Sequence, residues 1–287
     1  MFDPGKEVGR IENFLKDFIE KNAFKGAVIG ISGGIDSAVV AGLLVRILPK
    51  DRIEALILPE RDSHPESVKD AKLVCNRFGL NCHLRNITPI LRKLGIYRLH
   101  PPAIFVPYSV KAKYALSKWR ELTGDETYDR DILMEGPEEF LRGLAYYRAK
   151  HRVRMCVLYM EAELRGYAVV GTTNRTEWLT GFYVKWGDDA TDVEPLLHLY
   201  KTQVFKLGEF LGVPEKILSK PPSPDLVPGV TDEFALGMKY GEIDRILMKL
   251  EEGEDLSSED PSKVERVKKL VELAKKRNLR MVSLLSE

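Results

Sequence analysis

Ala27-Val28-Ile29-Gly30-Ile31-Ser32-Gly33-Gly34-Ile35-Asp36-Ser37 leaves an apolar run, crosses two adjacent glycines and enters an apolar, alanine-rich stretch over 37–48 that Pro49 stops. An apolar run of this length reads as a strand buried on both faces, and the stretch after the glycines as a helix. Glycines at 33 and 34 let the backbone turn tightly and come close to an anion. The first-turn amides and the helix dipole face the same point, so phosphate is the expected ligand of Gly30, Ile31, Ser32, Gly33, Gly34, Ile35, Asp36 and Ser37. The serines add hydroxyl donors, and Asp36 sits where a carboxylate would hold a magnesium ion on the phosphates. Neither common glycine-rich loop is present here, neither G-x-G-x-x-G nor G-x-x-x-x-G-K-[ST].

Outward from this turn, the alternation of strand and helix continues. Residues 53–58 read as a second strand, 66–78 as a helix ending at Gly79, and 82–87 as a third strand. Upstream, residues 6–22 place Ile11, Phe14, Leu15, Phe18 and Ile19 at amphipathic helical spacing. The pattern predicts an α/β fold, a doubly wound parallel sheet with helices on both faces. From about 91 to 138 regularity gives way to prolines, aromatics and charges, which reads as an inserted excursion. A helix over about 143–164, a strand over 167–171, helices near 200–211 and 232–251, and a C-terminal helix at about 262–276 follow. At 287 residues the whole is expected to form one domain, since single cores stop growing only near ~250–300 residues.

Lysines and arginines number 44 against 43 acids, so a net charge of +1 gives no global attraction to nucleic acid or anionic lipid, and neither is an expected partner. The amino terminus has no basic stretch followed by an apolar run, and the apolar run after the loop is broken by Arg46, so no signal peptide or membrane span is expected. Cys75, Cys82 and Cys156 are odd in number and lack C-x-x-C spacing, which argues for buried free thiols and a cytoplasmic location.

A second constellation follows the strand at 167–171. It runs Gly171-Thr172-Thr173-Asn174-Arg175-Thr176-Glu177, then Thr180-Gly181-Phe182-Tyr183-Val184-Lys185-Trp186-Gly187-Asp188-Asp189-Ala190-Thr191-Asp192, then Leu199-Tyr200-Lys201-Thr202-Gln203-Val204 and Lys220-Pro221-Pro222-Ser223-Pro224-Asp225-Leu226. Thr231-Asp232-Glu233 and Gly237-x-x-Tyr240-x-x-Ile243-Asp244 come after it, and Arg152-Val153-Arg154-Met155 before it. Taken singly, Gly187-Asp188-Asp189 reads as a turn with solvated acids, Lys185 and Lys201 as surface charges, and Trp178, Phe182, Tyr183 and Trp186 as core or rim aromatics.

The loop Ser32-Gly33-Gly34-Ile35-Asp36-Ser37 resembles the S-G-G-x-D-S pyrophosphate loop of the ATP pyrophosphatases, which cleave ATP between the α and β phosphates. With the second constellation, the order and spacing over about two thirds of the chain resemble the ammonia-dependent NAD synthetases. The resemblance implies an adenine nucleotide alpha hydrolase-like, Rossmann-like fold and a homodimer. It implies ATP-dependent amidation of deamido-NAD by ammonia through an adenylate, with AMP and pyrophosphate released. It further implies that residues 30–37, Thr172, Lys201 and Ser223 contact ATP, that Asp36 and Glu177 hold Mg2+, and that Arg152, Lys185 and Asp192 contact deamido-NAD. Asp36, Lys185, Asp192 and Lys201 are the implied catalytic set. Where relatives carry a His-Lys pair near the carboxyl end, this chain has Lys275-Lys276-Arg277, and Arg61 is a candidate for the adenine. The loop class alone also admits a tRNA-modifying thiolase or lysidine synthetase, which the absent cysteine pair and balanced charge oppose, and a non-catalytic adenine-nucleotide sensor.

Overall fold

A computed structural model describes residues 2–99, 127–223 and 231–280, together with positions 110, 113, 117 and 121. Residues 100–109 and 122–126, most positions between them, and residues 224–230 of the proline-rich segment lie outside the described residues, so the excursion expected at 91–138 is described only in part. Chain order is α1 (Pro4–Lys21), β1 (Ala27–Gly30), α2 (Ile35–Ile47), β2 (Ile53–Ile57), α3 (Pro65–Phe78), β3 (Cys82–Leu84), α4 (Thr88–Lys93), α5 (Thr127–Leu133), α6 (Glu138–Arg165) and β4 (Ala168–Val169). After these come α7 (Arg175–Thr180), α8 (Lys201–Leu211), α9 (Glu215–Leu218), α10 (Asp232–Leu236), α11 (Tyr240–Glu252) and α12 (Pro261–Asn278).

The four strands are parallel in the order β3-β2-β1-β4, and a bridge from Val170 to Val193 extends the outer edge. Successive side chains of a strand point to opposite faces, and both faces here are apolar. Ala27, Ile29, Ile53, Ala55 and Ile57 join the core under α1, α2 and α8. Val28, Leu56 and Val169 join Met155, Leu158 and Ala162 of α6 on the other face. This is the expected doubly wound arrangement. Helix α2 is buried along almost its whole length, which its all-round apolar sequence requires. Completely buried leucines such as Leu43 and Leu44 each contribute about 2 kcal/mol relative to exposure.

Several boundaries differ from expectation. The helix expected at 232–251 is two helices, because Gly237 takes φ 78° and caps the first in the left-handed conformation. The helix expected at 143–164 begins a turn and a half earlier, behind Pro137. Cys75 and Cys82 are joined in a disulfide, against the expectation of free thiols, and Cys156 is exposed on α6. The cause is local: α3 ends at Gly79 with φ 65°, and the chain doubles back into β3 so that the two Cα atoms lie 6.2 Å apart. Cysteine usage therefore gives no ground for a reducing compartment. Among the described residues no helix is long and apolar enough to cross a membrane.

Candidate active site

Strand order reverses between β1 and β4: the chain builds β2 and β3 to one side of β1 and then returns to pair β4 on the other. Open parallel sheets bind ligands at the carboxyl ends of strands flanking such a point. Both constellations leave the sheet there, residues 30–37 from β1 and residues 171–177 from β4. They line one cavity of about 410 Å³.

The loop after β1 is held by its own serines. Ser37 Oγ accepts from Ser32 N (3.2 Å), lies 3.0 Å from Ser32 Oγ and donates to Gly34 O (3.1 Å), while Gly34 N donates to Ser32 Oγ (3.1 Å). Gly33 has φ +82°, and a Cβ there would lie 2.7 Å from Ser67 O and 2.9 Å from Ala71 N of α3. Only glycine permits both the conformation and the close approach. Gly34 caps α2 without a side chain, so the first-turn amides of α2 are open toward the cavity.

Asp36, in that first turn, meets two residues from segments that follow β4. Its Oδ1 accepts from Asn174 Nδ2 at 3.0 Å and its Oδ2 from Lys201 Nζ at 2.7 Å. Lys201 Nζ also donates to Glu177 Oε1 at 3.1 Å. Glu177 is the third residue of α7, and Asn174 is its cap: Asn174 Oδ1 accepts from Glu177 N, and Glu177 Oε2 accepts from Asn174 N. Asn174 thus fixes both carboxylates. Lys201 opens α8, with its amide donating to Thr176 Oγ1 (2.9 Å), and Asp244 accepts from Thr176 Oγ1 (2.6 Å) and Thr202 N (2.7 Å).

Burying these charges has electrostatic consequences. Glu177 is pushed up to about 8 by burial, with Asp36 and Asp232 adding to the rise and Lys201 opposing it. Burial works against the Lys201 charge, but Asp36 and Glu177 more than offset it and hold the ammonium above the usual lysine range. Two carboxylates converging on one buried ammonium are also a pair of hard oxygen donors aimed at a common point, the donor set a Mg2+ ion bridging phosphates requires.

The implied ATP set is brought together: residues 30–37 except Gly33, with Thr172, Lys201 and Ser223, line the cavity, as does Glu177. Arg152, Lys185 and Asp192 do not line it; they are surface neighbours of the lining residues Arg154, Val184 and Thr191. Arg152 donates to Lys185 O at 3.0 Å, and Asp192 accepts from Val169 N (2.7 Å) and Tyr159 OH (3.1 Å). Arg61 is turned away from the cavity, paired with Asp62 and stacked 4.0 Å over the Tyr97 ring. Lys275 pairs with Glu272 on the surface and Lys276 with Leu133 O, whereas Arg277 turns inward and lines the cavity. Asn174, Asp232 and Asp244 stood in the quoted motifs with no role assigned, and Glu194 and His151 were not named. Only Asn174 carried a local signal, the N-x-x-E pattern of a capping box.

Fold and site define a nucleotide-binding α/β protein that presents a polyphosphate cradle and a carboxylate–lysine cluster at the switch point of its sheet. The model of the NAD synthase family matches residues 7–101 and 131–281. The chain belongs to that family. It is 63% identical over 264 residues to the NH(3)-dependent NAD(+) synthetase of Thermotoga maritima, covering 92% of this chain and 94% of that one. It is 42% identical over 269 residues to the enzyme of the same name from Coprothermobacter proteolyticus, covering 90% of each. The structure of NMN synthetase from Francisella tularensis superposes with a TM-score of 0.73 at 30% identity, covering 99% of this chain and 100% of that one.

Proposed function

We propose that this chain activates the nicotinate carboxylate of deamido-NAD with ATP and lets ammonia displace AMP, giving NAD, AMP and pyrophosphate. The observation that carries the reading is the meeting of Asp36, Glu177 and Lys201 beneath the loop of residues 30–37. In this reading residues 30–37, Thr172, Lys201 and Ser223 hold ATP, and Arg152, Lys185 and Asp192 hold the dinucleotide. Asp36 and Glu177 hold Mg2+, which when bound neutralises charge on the phosphates. The nicotinate carboxylate oxygen attacks the α phosphorus, and the bond to the bridging oxygen of pyrophosphate breaks. Open amides of α2 and the Lys201 ammonium stabilise the charge that develops on the departing group. Ammonia then attacks the acyl carbon, AMP leaves, and a proton is released to solvent. Catalysis comes from holding reactants close and from electrostatics, with no nucleophilic side chain. The implied homodimer and cytoplasmic setting belong to the same reading, the latter because ATP and both dinucleotides are intracellular metabolites.

Incubation with MgATP, deamido-NAD and ammonium, followed by product analysis, tests it. NAD, AMP and pyrophosphate are expected in equal amounts; ADP in their place would exclude the adenylate route. Labelled ammonium should enter the carboxamide, and Asp36→Ala should end AMP release while the fold persists. Sedimentation should find a dimer. The likeness to an NMN synthetase motivates a competing acceptor, nicotinate mononucleotide. A higher kcat/KM for the mononucleotide would move the substrate assignment to it without altering the chemistry.

A further inference from the structure

Asp232, at the start of α10, is 4% exposed and lines the same cavity as Asp36, Glu177 and Lys201. Its Oδ2 accepts from Tyr240 OH at 2.8 Å, and the Tyr240 ring lies 5.2 Å from Lys201 Nζ. Its Oδ1 is buried and has no hydrogen-bond partner among the described residues. Leaving a carboxylate oxygen buried and unpaired costs several times what an ordinary hydrogen bond returns, so its retention calls for a partner absent from the protein itself. Charge points the same way. Three carboxyl groups, Asp36, Glu177 and Asp232, act on one buried ammonium, and a divalent cation is what would let all three carry their charge together.

Direct ligation by all three is excluded by position, because among the described residues no three acidic, histidine or cysteine side chains converge closely enough to hold one ion. A magnesium ion keeps several of its waters, however, and those waters are strong donors. We propose that Asp232 is an outer-sphere residue of the cation site, its Oδ1 accepting a hydrogen bond from a water on an ion held by Asp36 and Glu177. The Tyr240 hydroxyl occupies the other oxygen and so fixes which one faces the ion. The Asp232 amide also donates to Pro222 O at 3.0 Å, next to Ser223, so one residue ties the cation site to the segment that would contact ATP. The inference rests on the proposed Mg2+–ATP reading of the cavity.

Mn2+ serves as the probe, titrated by electron paramagnetic resonance into the full-length protein with a non-cleavable α,β-methylene analogue of ATP. Asp232→Asn keeps the shape and the Tyr240 contact, and Asp232→Ser is measured beside it, with melting curves identifying the folded variants. Loss of an outer-shell partner weakens metal binding by about 10–100-fold, and that loss is expected in Asp232→Asn. Affinity for the analogue in EDTA should stay within about twofold of wild type, a split that a merely structural role would not give. Asp36→Asn is the control. If a folded Asp232 variant binds Mn2+ as wild type does while Asp36→Asn does not, the inference fails and the metal reading stands. If Asp36→Asn also binds normally, both fall.

Discussion

Glu194 offers a direct test of how this site handles buried charge. Its carboxylate accepts from Thr173 N (2.9 Å), Thr173 Oγ1 (3.3 Å) and Thr191 Oγ1 (2.9 Å), and it packs against Gly171, where any Cβ would collide with it. No cation pairs with it among the described residues. Burial pushes it up to about 8, the nearby Asp188 adds to the rise, and the threonine hydrogen bonds offset part of it. The folded chain therefore binds this proton where the unfolded chain, titrating near 4.5, has released it. Stability from Glu194 is fully present below pH 4.5 and is lost as pH rises toward 8, at up to about 1.4 kcal/mol per pH unit. The interval caps the effect at about 5 kcal/mol, and partial access of water to the side chain reduces it to roughly 2–4 kcal/mol. Glu194→Gln keeps the shape and the acceptor oxygen but cannot ionise. Urea unfolding at intervals from pH 4.5 to 8.5 should find the two proteins alike at the acid end and the variant more stable by that amount at pH 8.5. Asp188 and Asp232, each raised to about 6 chiefly by burial, act in the same direction in both proteins, so the difference between the curves is the readout. Parallel curves across the whole range would refute the reasoning.

Gly33→Ala should lower stability by about 2–4 kcal/mol and abolish nucleotide binding, because it adds a Cβ at positive φ against the backbone of α3; calorimetry finding wild-type affinity and melting temperature would contradict this. The Cys75–Cys82 disulfide closes a short loop, and the chain-entropy relation assigns it about 2–3 kcal/mol. Reductant, or Cys75→Ser, should therefore lower the melting temperature by about 5 °C, and an unchanged transition would deny the bond a stabilising role. Arg277→Met should cost about 3 kcal/mol, since the guanidinium bonds Gly181 O, Tyr183 O and Asp131 in a buried setting. Chemical unfolding measures it, and a loss below about 1 kcal/mol would mean that Arg148 and Tyr147, which each donate to Asp131 at 2.6 Å, satisfy it without Arg277.

The sheet was legible because β1 and β4 lie in continuous apolar runs and β2 is interrupted only by Glu54, and the loop because its glycines and serines act on one another within six residues. One boundary failed where a single residue decides, since Gly237 splits a helix whose apolar spacing continues across it; the helix end at Gly79 was read, but not the return of the chain that brings Cys75 and Cys82 together. In the site, Asp36 could be read from the loop, whereas Lys201, read alone, looked like a surface charge. It is in fact 1% exposed, 165 residues from the aspartate it contacts. No local pattern encodes such a pairing.

Asn174 and Asp244, to which sequence gave no role, each satisfy a polar group contributed by a distant segment. Asn174 reaches Asp36 across 138 residues, and Asp244 reaches Thr176 across 68. Such partners are dictated by the low dielectric of the cavity, where an unpaired donor or acceptor costs more than a satisfied one returns. A buried lysine flanked by carboxylates is weak evidence for stability, since an apolar replacement of similar volume is often as stable. Its cost is better explained by what the cluster must do when a polyphosphate arrives. On the proposed reading the ammonium leaves its carboxylates for the phosphates, and Asp36 and Glu177 then take a new cation. Asn174 Oδ1 accepts from the Glu177 amide and Asp244 from the Thr202 amide, so the backbone around Glu177 and Lys201 is already tied before any such exchange.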